Sequence, residues 1–280
     1  MFSCQRDMPA EGSHGDVTNG LRVEPDQDKF TPVIHDADGE VQTHVDELKW
    51  NIEDAEQVRV TRPDGSVEDL FLVDGDIELT REQYNDLLET NTDPRQYHTY
   101  NLVSISGSSR NISVTGYTGG SYALTTRMRT GLQWAINNLN AVSGLDLNFN
   151  LSFNTNTGAD IVVYRDFTNP NAGGVAGFPY SNGNPYKWVR IYAGMNNYNN
   201  NVNEHVANHE VMHCIGFRHT DWATRASCGQ TGENANPDGA VYIPGTPSGY
   251  DSGSIMLACF SSGEDGELGN YDKVALQYLY

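Results

Sequence analysis

The sequence predicts an α+β fold: a twisted mixed sheet backed by helices, with a small acidic unit in front of it. Three observations carry this. Leu132, Ala135, Ile136 and Leu139 recur at helical spacing. Residues 146–153 alternate through Leu147, Phe149, Leu151 and Phe153, and Ile161-Val162-Val163-Tyr164 is an apolar run of strand length. Charge density drops between residues 95 and 110, where Ser106-Gly107-Ser108-Ser109 reads as a linker.

Taken in order, residues 1–45 are polar, acidic and rich in Gly, Pro and Asp without a sustained period, and read as a loosely ordered lead-in. Residues 57–73 alternate about Pro63-Asp64-Gly65-Ser66, the pattern of a β-hairpin. Thr80 with Gln83 forms a capping box, and Tyr84, Leu87 and Leu88 give a short helix its apolar face before Asn91-Thr92-Asp93-Pro94 ends it. This places an N-terminal region at 1–104 and a main domain at 105–280. In the latter, helices are expected over 123–142, 203–215 and 271–280, the last presenting Val274, Leu276 and Leu279, and strands at 111–116, 146–153, 160–165 and 188–193.

The 280 residues are 38% hydrophobic with a formal charge of -20. Residues 1–100 carry 24 of the 37 acidic side chains against 8 basic ones, so the acidity is an N-terminal property. Such a balance repels nucleic acid and anionic membranes. No apolar run reaches the roughly 18 to 20 residues of a membrane-spanning helix. Met1-Phe2-Ser3-Cys4 reads as the tail of a lipoprotein signal, making Cys4 a candidate lipid anchor and the chain an exported, secreted or cell-envelope protein, expected to be a monomer. Of four cysteines, Cys214 falls in an apolar helix; if a bridge exists, Cys228 with Cys259 is the preferred pair, although sequence leaves the pairing open.

The chemistry lies in His209-Glu210-Val211-Met212-His213-Cys214-Ile215-Gly216-Phe217-Arg218-His219. Residues four apart share one helix face, so His209 and His213 can present their imidazoles to one Zn2+ ion with Glu210 beside them. His219 is out of line with that face, and Gly216 supplies the left-handed turn that ends the helix and brings His219 back. Three neutral imidazoles leave a fourth tetrahedral position for water, the arrangement of a catalytic site, and Glu210 is placed as general base and then acid in peptide hydrolysis. His205 reads as a surface or capping residue, and His14, His35, His44 and His98 as solvated. Asp221 and Trp222 read as packing beneath the site.

This segment, with Ser254-Ile255-Met256-Leu257 and the terminal helix, resembles the metzincin clan of zinc peptidases. Residues 95–280, including Gly116-Tyr117-Thr118-Gly119-Gly120 and the end from Tyr271 to Tyr280, are similar to bacterial dual-action HEIGH metallo-peptidases. The resemblance implies a metzincin-like zincin domain with an active-site helix and a C-terminal helix, a zinc endopeptidase acting on protein or peptide substrates, and Met256 as the Met-turn floor beneath the histidines. It also implies a substrate extended along an edge strand, for which Val189, Arg190, Ile191 and Tyr192 are the candidates. Two positions depart from it: Val211-Met212 replace Ile-Gly, and Ala258 stands where some members place a tyrosine that would stabilise the oxyanion.

The acidic N-terminal region suggests a prosegment, making the chain a zymogen whose zinc is blocked by a carboxylate of the acidic run or by the Cys4 thiolate. An accessory domain is its rival. The rivals for function are a catalytically silent zinc-containing cell-surface binding module and an exopeptidase or other acyl hydrolase. Structural Ca2+ in the loops Asn154 to Asp160 or Asn234 to Asp238 stays open, since neither has a recognisable calcium spacing.

Overall fold

The structure is a computed structural model that describes residues 2–3, 34–35, 41–42, 55–73, 75–89, 97–221, 225–229, 241–247 and 250–280. Cys4, Asn91 to Pro94, Trp222 and the Asn234 to Asp238 loop lie outside these residues. Beyond two-residue strands at Phe2–Ser3, Ile34–His35 and Val41–Gln42, the N-terminal region forms a three-stranded antiparallel sheet from β1 (Glu56–Thr61), β2 (Val67–Val73) and β3 (Ile77–Leu79), followed by α1 (Arg81–Glu89). The expected capping box opens α1: Gln83 N–H donates to Thr80 Oγ1 at 3.2 Å, and Thr80 N–H to Gln83 Oε1 at 3.0 Å.

The main sheet holds five strands. After a short β4 (Tyr97–His98) come β5 (Arg110–Tyr117), β6 (Leu147–Asn154), β7 (Ile161–Asp166), β8 (Gly174–Val175) and β9 (Trp188–Tyr192), side by side in the order β8-β9-β7-β5-β6. Only β8 runs antiparallel to its neighbour. Helix α2 (Thr126–Asn140) links β5 to β6, since parallel neighbours need a crossover connection. Its Met128, Leu132, Ala135, Ile136 and Leu139 are buried against the sheet and α3 (Asn200–Cys214). Truncating Leu132 or Ile136 to Ala would cost about 2 to 5 kcal/mol.

Helix α3 is buried on every side from Val202 to Cys214, which is why its sequence shows little amphipathic period. Asn199 caps it by accepting from Val202 N–H at 2.9 Å. The short strands β10 (Val241–Tyr242) and β11 (Cys259–Phe260) pair with β4 and with residues 2–3, and α4 (Asn270–Leu279) closes the chain. Cys228 and Cys259 are joined as a disulfide, and Cys214 is free and buried.

Three sequence expectations need correction. Strand 188–193 is not an edge: β9 is paired on both sides, by β7 and β8, so Val189, Arg190, Ile191 and Tyr192 present no free backbone to a substrate. The edge is the short, glycine-containing β8 with the residues after it, which apolar run-length cannot detect. His205 is buried rather than surface-exposed, with its ring 5.7 Å from that of Phe260. His98 is half-buried, its Nδ1 2.6 Å from the Thr99 carbonyl.

The N-terminal sheet is docked on the main one. Arg62 is fully buried, and its guanidinium donates to Glu68, Glu78, Tyr164 and Tyr186. Residues 76–78 continue the main sheet past β8: Ala176 N–H donates to Asp76 O at 2.9 Å and Glu78 N–H to Ala176 O at 2.6 Å, with Ile77 bridging Ala176 in parallel sense.

Candidate metal centre

The helix end that builds the site has a Schellman geometry. Gly216 N–H donates to His213 O at 2.9 Å, Phe217 N–H donates to Met212 O at 3.1 Å, and Gly216 has φ of +106°. A side chain at 216 would also meet Leu102 and Thr99. The chain therefore reverses, and His219 returns to His209 and His213, as the spacing of the segment anticipates.

All three imidazoles are fully buried and converge through Nε2, 3.0 Å from His213 to His209 and 3.2 Å from His209 to His219. His209 Nδ1 lies 2.9 Å from the Ile255 carbonyl and His213 Nδ1 2.7 Å from the Phe217 carbonyl. Carbonyls only accept, so each Nδ1 is the protonated nitrogen and each Nε2 keeps its lone pair. Lone pairs facing one another in a dry interior repel unless a cation lies between them. A tetrahedral zinc with bonds of about 2.0 to 2.1 Å sets its ligand atoms about 3.3 Å apart, and the observed spacing fits. Burial, and then the neighbouring His209 and His219, hold His213 well below the usual histidine range, in the neutral form a metal ligand needs.

A fourth candidate ligand atom comes from the N-terminal region. Asp76 Oδ2 lies 2.9 Å from His219 Nε2 and 3.6 Å from His209 Nε2, and the ligand atoms of Asp76, His209, His213 and His219 all lie within 4.8 Å of one another. Burial opposes its ionisation, but the neighbouring His219, with His209 and His213 close by, holds its carboxyl well below the usual range. No sequence motif singled out Asp76 among 24 N-terminal acids; the Gly75-Asp76-Ile77 turn between two strands was the available signal.

Glu210 is fully buried, and neither carboxylate oxygen has a hydrogen-bond partner. Burial, and then the charges of Asp76 and Glu78, push its pKa well above the carboxylate range. Gly174 makes its room, because a Cβ there would stand 2.7 Å from the Glu210 side chain.

The floor is held by Asp272. Its carboxylate accepts from Ser254 Oγ at 2.7 Å and from the Ile255 and Gly269 amides at 2.8 Å, so one buried side chain starts α4 and fixes the turn through Met256. Met256 is buried; the Ile255 carbonyl before it holds His209, and its own carbonyl accepts from Thr220 N–H at 2.8 Å, next to His219. Asp221 accepts from the Ser227 and Ala258 amides, tying the disulfide loop to the same turn. In the Asn154 to Asp160 loop, Asp160 Oδ2 accepts from Ser113, and the Asn154 and Asn156 side chains accept from amides two residues on.

A family model described as dual-action HEIGH metallo-peptidase matches residues 71–280. No curated protein matches the chain. Among solved structures the chain is similar to myroilysin, in one case with 16% identity over 64% of this chain and 82% of that one at a TM-score of 0.38, and in another with 13% identity over 70% and 95% at 0.36. It is also similar to high choriolytic enzyme 1, a hatching enzyme zinc-protease from the medaka fish Oryzias latipes, with 15% identity over 64% of this chain and 93% of that one at 0.37. With the family match spanning the three histidines, Glu210 and the incoming Asp76, the chain belongs to the dual-action HEIGH metallo-peptidases and is a zinc metallopeptidase.

Proposed function

We propose that the chain is a zinc endopeptidase produced in latent form, with His209, His213 and His219 as metal ligands, Glu210 as the proton carrier and Asp76 closing the fourth ligand position. The observation that carries this reading is the convergence of three Nε2 atoms and one carboxylate beside an unpartnered, buried Glu210. Zinc held by His209, His213 and His219 would polarise the scissile carbonyl and lower the pKa of a water it binds to about 7. Glu210, one residue along α3 from His209, has both oxygens free to take a proton from attacking water and deliver it to the departing amine. The Ile255 carbonyl keeps His209 in one orientation during this exchange. The edge of β8 receives the peptide backbone, a role that residues 76–78 fill in the latent chain. The Cys228–Cys259 disulfide supports an exported enzyme. Among the described residues no helix is long and apolar enough to cross a membrane.

The test is cleavage of an unfolded protein by the zinc-loaded chain after limited proteolysis between residues 90 and 105, set against Glu210→Ala and against a chelator. Internal fragments from wild type alone, abolished by the chelator, are expected. Products trimmed only from one terminus would replace endopeptidase by exopeptidase, and no products from a zinc-loaded chain would favour a silent binding module.

A further inference from the structure

We infer that Arg190 forms a subsite selecting an acidic side chain in the bound peptide, and that Glu78 holds its place in the latent chain; this rests on the endopeptidase reading above. Glu78 is fully buried, yet it stays charged because its carboxylate is paired with Arg190 and with Arg62 at 2.9 Å, while Tyr186 Oη donates to it at 3.1 Å. These partners belong to different parts of the chain. Arg62 comes from the N-terminal hairpin and leaves with Glu78, whereas Arg190 on β9 and Tyr186 just before it belong to the main domain.

Glu78 reaches them from the backbone track a substrate would use. Its N–H is bonded to Ala176 O on the free edge beyond β8, two residues from the carboxylate that meets the histidines. In an extended peptide alternate side chains fall on one side whichever way the chain runs, so a substrate on this track also directs a side chain towards Arg190. Gly177 permits the approach, because a Cβ there would run into the Glu78 carbonyl and the Tyr186 ring.

The guanidinium remains in place without Glu78. Asp166 Oδ2 accepts from Arg190 Nη1 at 3.1 Å, which orients the group, and Arg190 Nε has no partner of its own. Losing Glu78 frees the Nη2 that now pairs with it. An Arg fork in such a place favours a carboxylate over its amide isostere, by charge and by paired hydrogen bonds.

The experiment uses the full chain carrying Glu210→Ala, folded, zinc-loaded and then cut between residues 90 and 105, so that bound peptide is not consumed. Fluorescent decapeptides with one Glu moved through successive positions, and their Gln and Lys twins, are titrated by anisotropy. At one position Glu is expected to bind at least about tenfold more tightly than Gln, with Lys weaker still. Arg190→Leu should erase the difference and Arg190→Lys should keep part of it, which separates charge recognition from loss of fold. Equal binding of Glu and Gln twins at every position would overturn the subsite, as would the absence of peptide binding. Cutting the same peptides with Glu210 intact separates the two readings: Glu preference without cleavage sinks the endopeptidase and keeps the subsite, and cleavage without Glu preference does the reverse.

Discussion

Asp76 Oδ2 stands 2.9 Å from His219 Nε2 although 143 residues separate them in the chain. The contact joins the N-terminal region to the metal centre directly, because strand pairing through Ala176 on one side of Asp76 and the buried Glu78 on the other leave its carboxylate one direction to take. On the latent reading proposed above, Asp76 would be a fourth protein ligand in a site that catalysis needs open.

Replacing Asp76 should therefore act on metal affinity and latency in opposite directions. Asp76→Ala in the uncut chain is expected to weaken zinc binding about 10- to 100-fold, read by competition with a chromophoric chelator. The same variant should raise basal cleavage of a quenched peptide about tenfold or more over the uncut wild type. Unchanged zinc affinity together with unchanged basal activity would remove Asp76 from the site.

The elements with a strong period were legible in the sequence. Helix α2 shows its buried stripe at Leu132, Ala135, Ile136 and Leu139, and the hairpin declares itself by alternation about Pro63-Asp64-Gly65-Ser66. The convergence of the histidines was legible because it is local: ten residues and one glycine turn bring His209 and His219 together. The positions of Asp76, Glu78 and the β8 edge were not, because they come from long-range pairing that leaves no local pattern. A two-residue strand at Gly174–Val175 has no alternation to read, and that absence shifted the expected edge to β9. His205 was misplaced for a related reason, since a helix buried all round carries no polar face by which to judge one residue.

Asp272→Ala tests how the floor supports the metal. The change removes the acceptor of two amides and one hydroxyl in a buried turn, an expected loss of about 2 to 4 kcal/mol. Because the Ile255 carbonyl orients His209, zinc affinity should fall as well. Thermal melts with zinc and with excess chelator should show the variant's zinc-dependent gain in Tm smaller than that of wild type. An equal gain in both would mean the turn supports stability alone.

Gly131 tests the crossing of α2 and α3. A Cβ at this position would lie 2.5 Å from the Asn203 carbonyl carbon and 2.6 Å from the Glu204 amide nitrogen, both backbone atoms that cannot swing away. Although Ala is the better helix former by about 1 kcal/mol, Gly131→Ala should destabilise the chain by about 1 to 3 kcal/mol because the helices must separate. Chemical denaturation measures it, and a stabilised variant would show the contact to be compliant.

Glu204 gives the chain a pH dependence away from the metal. Burial, and then the charges of Glu267 and Asp265, raise its pKa to about 7, while Asn138 Nδ2 donates to its Oε1 at 2.8 Å. A carboxyl that binds its proton more tightly in the folded chain stabilises the fold at low pH; that contribution is present below the unfolded value near 4.5 and is lost as pH rises to about 7. Glu204→Gln keeps the acceptor for Asn138 and cannot ionise. It should match wild type near pH 4.5 and exceed it above pH 7 by about 1 kcal/mol, once solvent screening is allowed for. Parallel denaturation curves at pH 4.5, 6 and 8 would detect the divergence. A constant difference across the three would show that Glu204 titrates alike in the folded and unfolded chain.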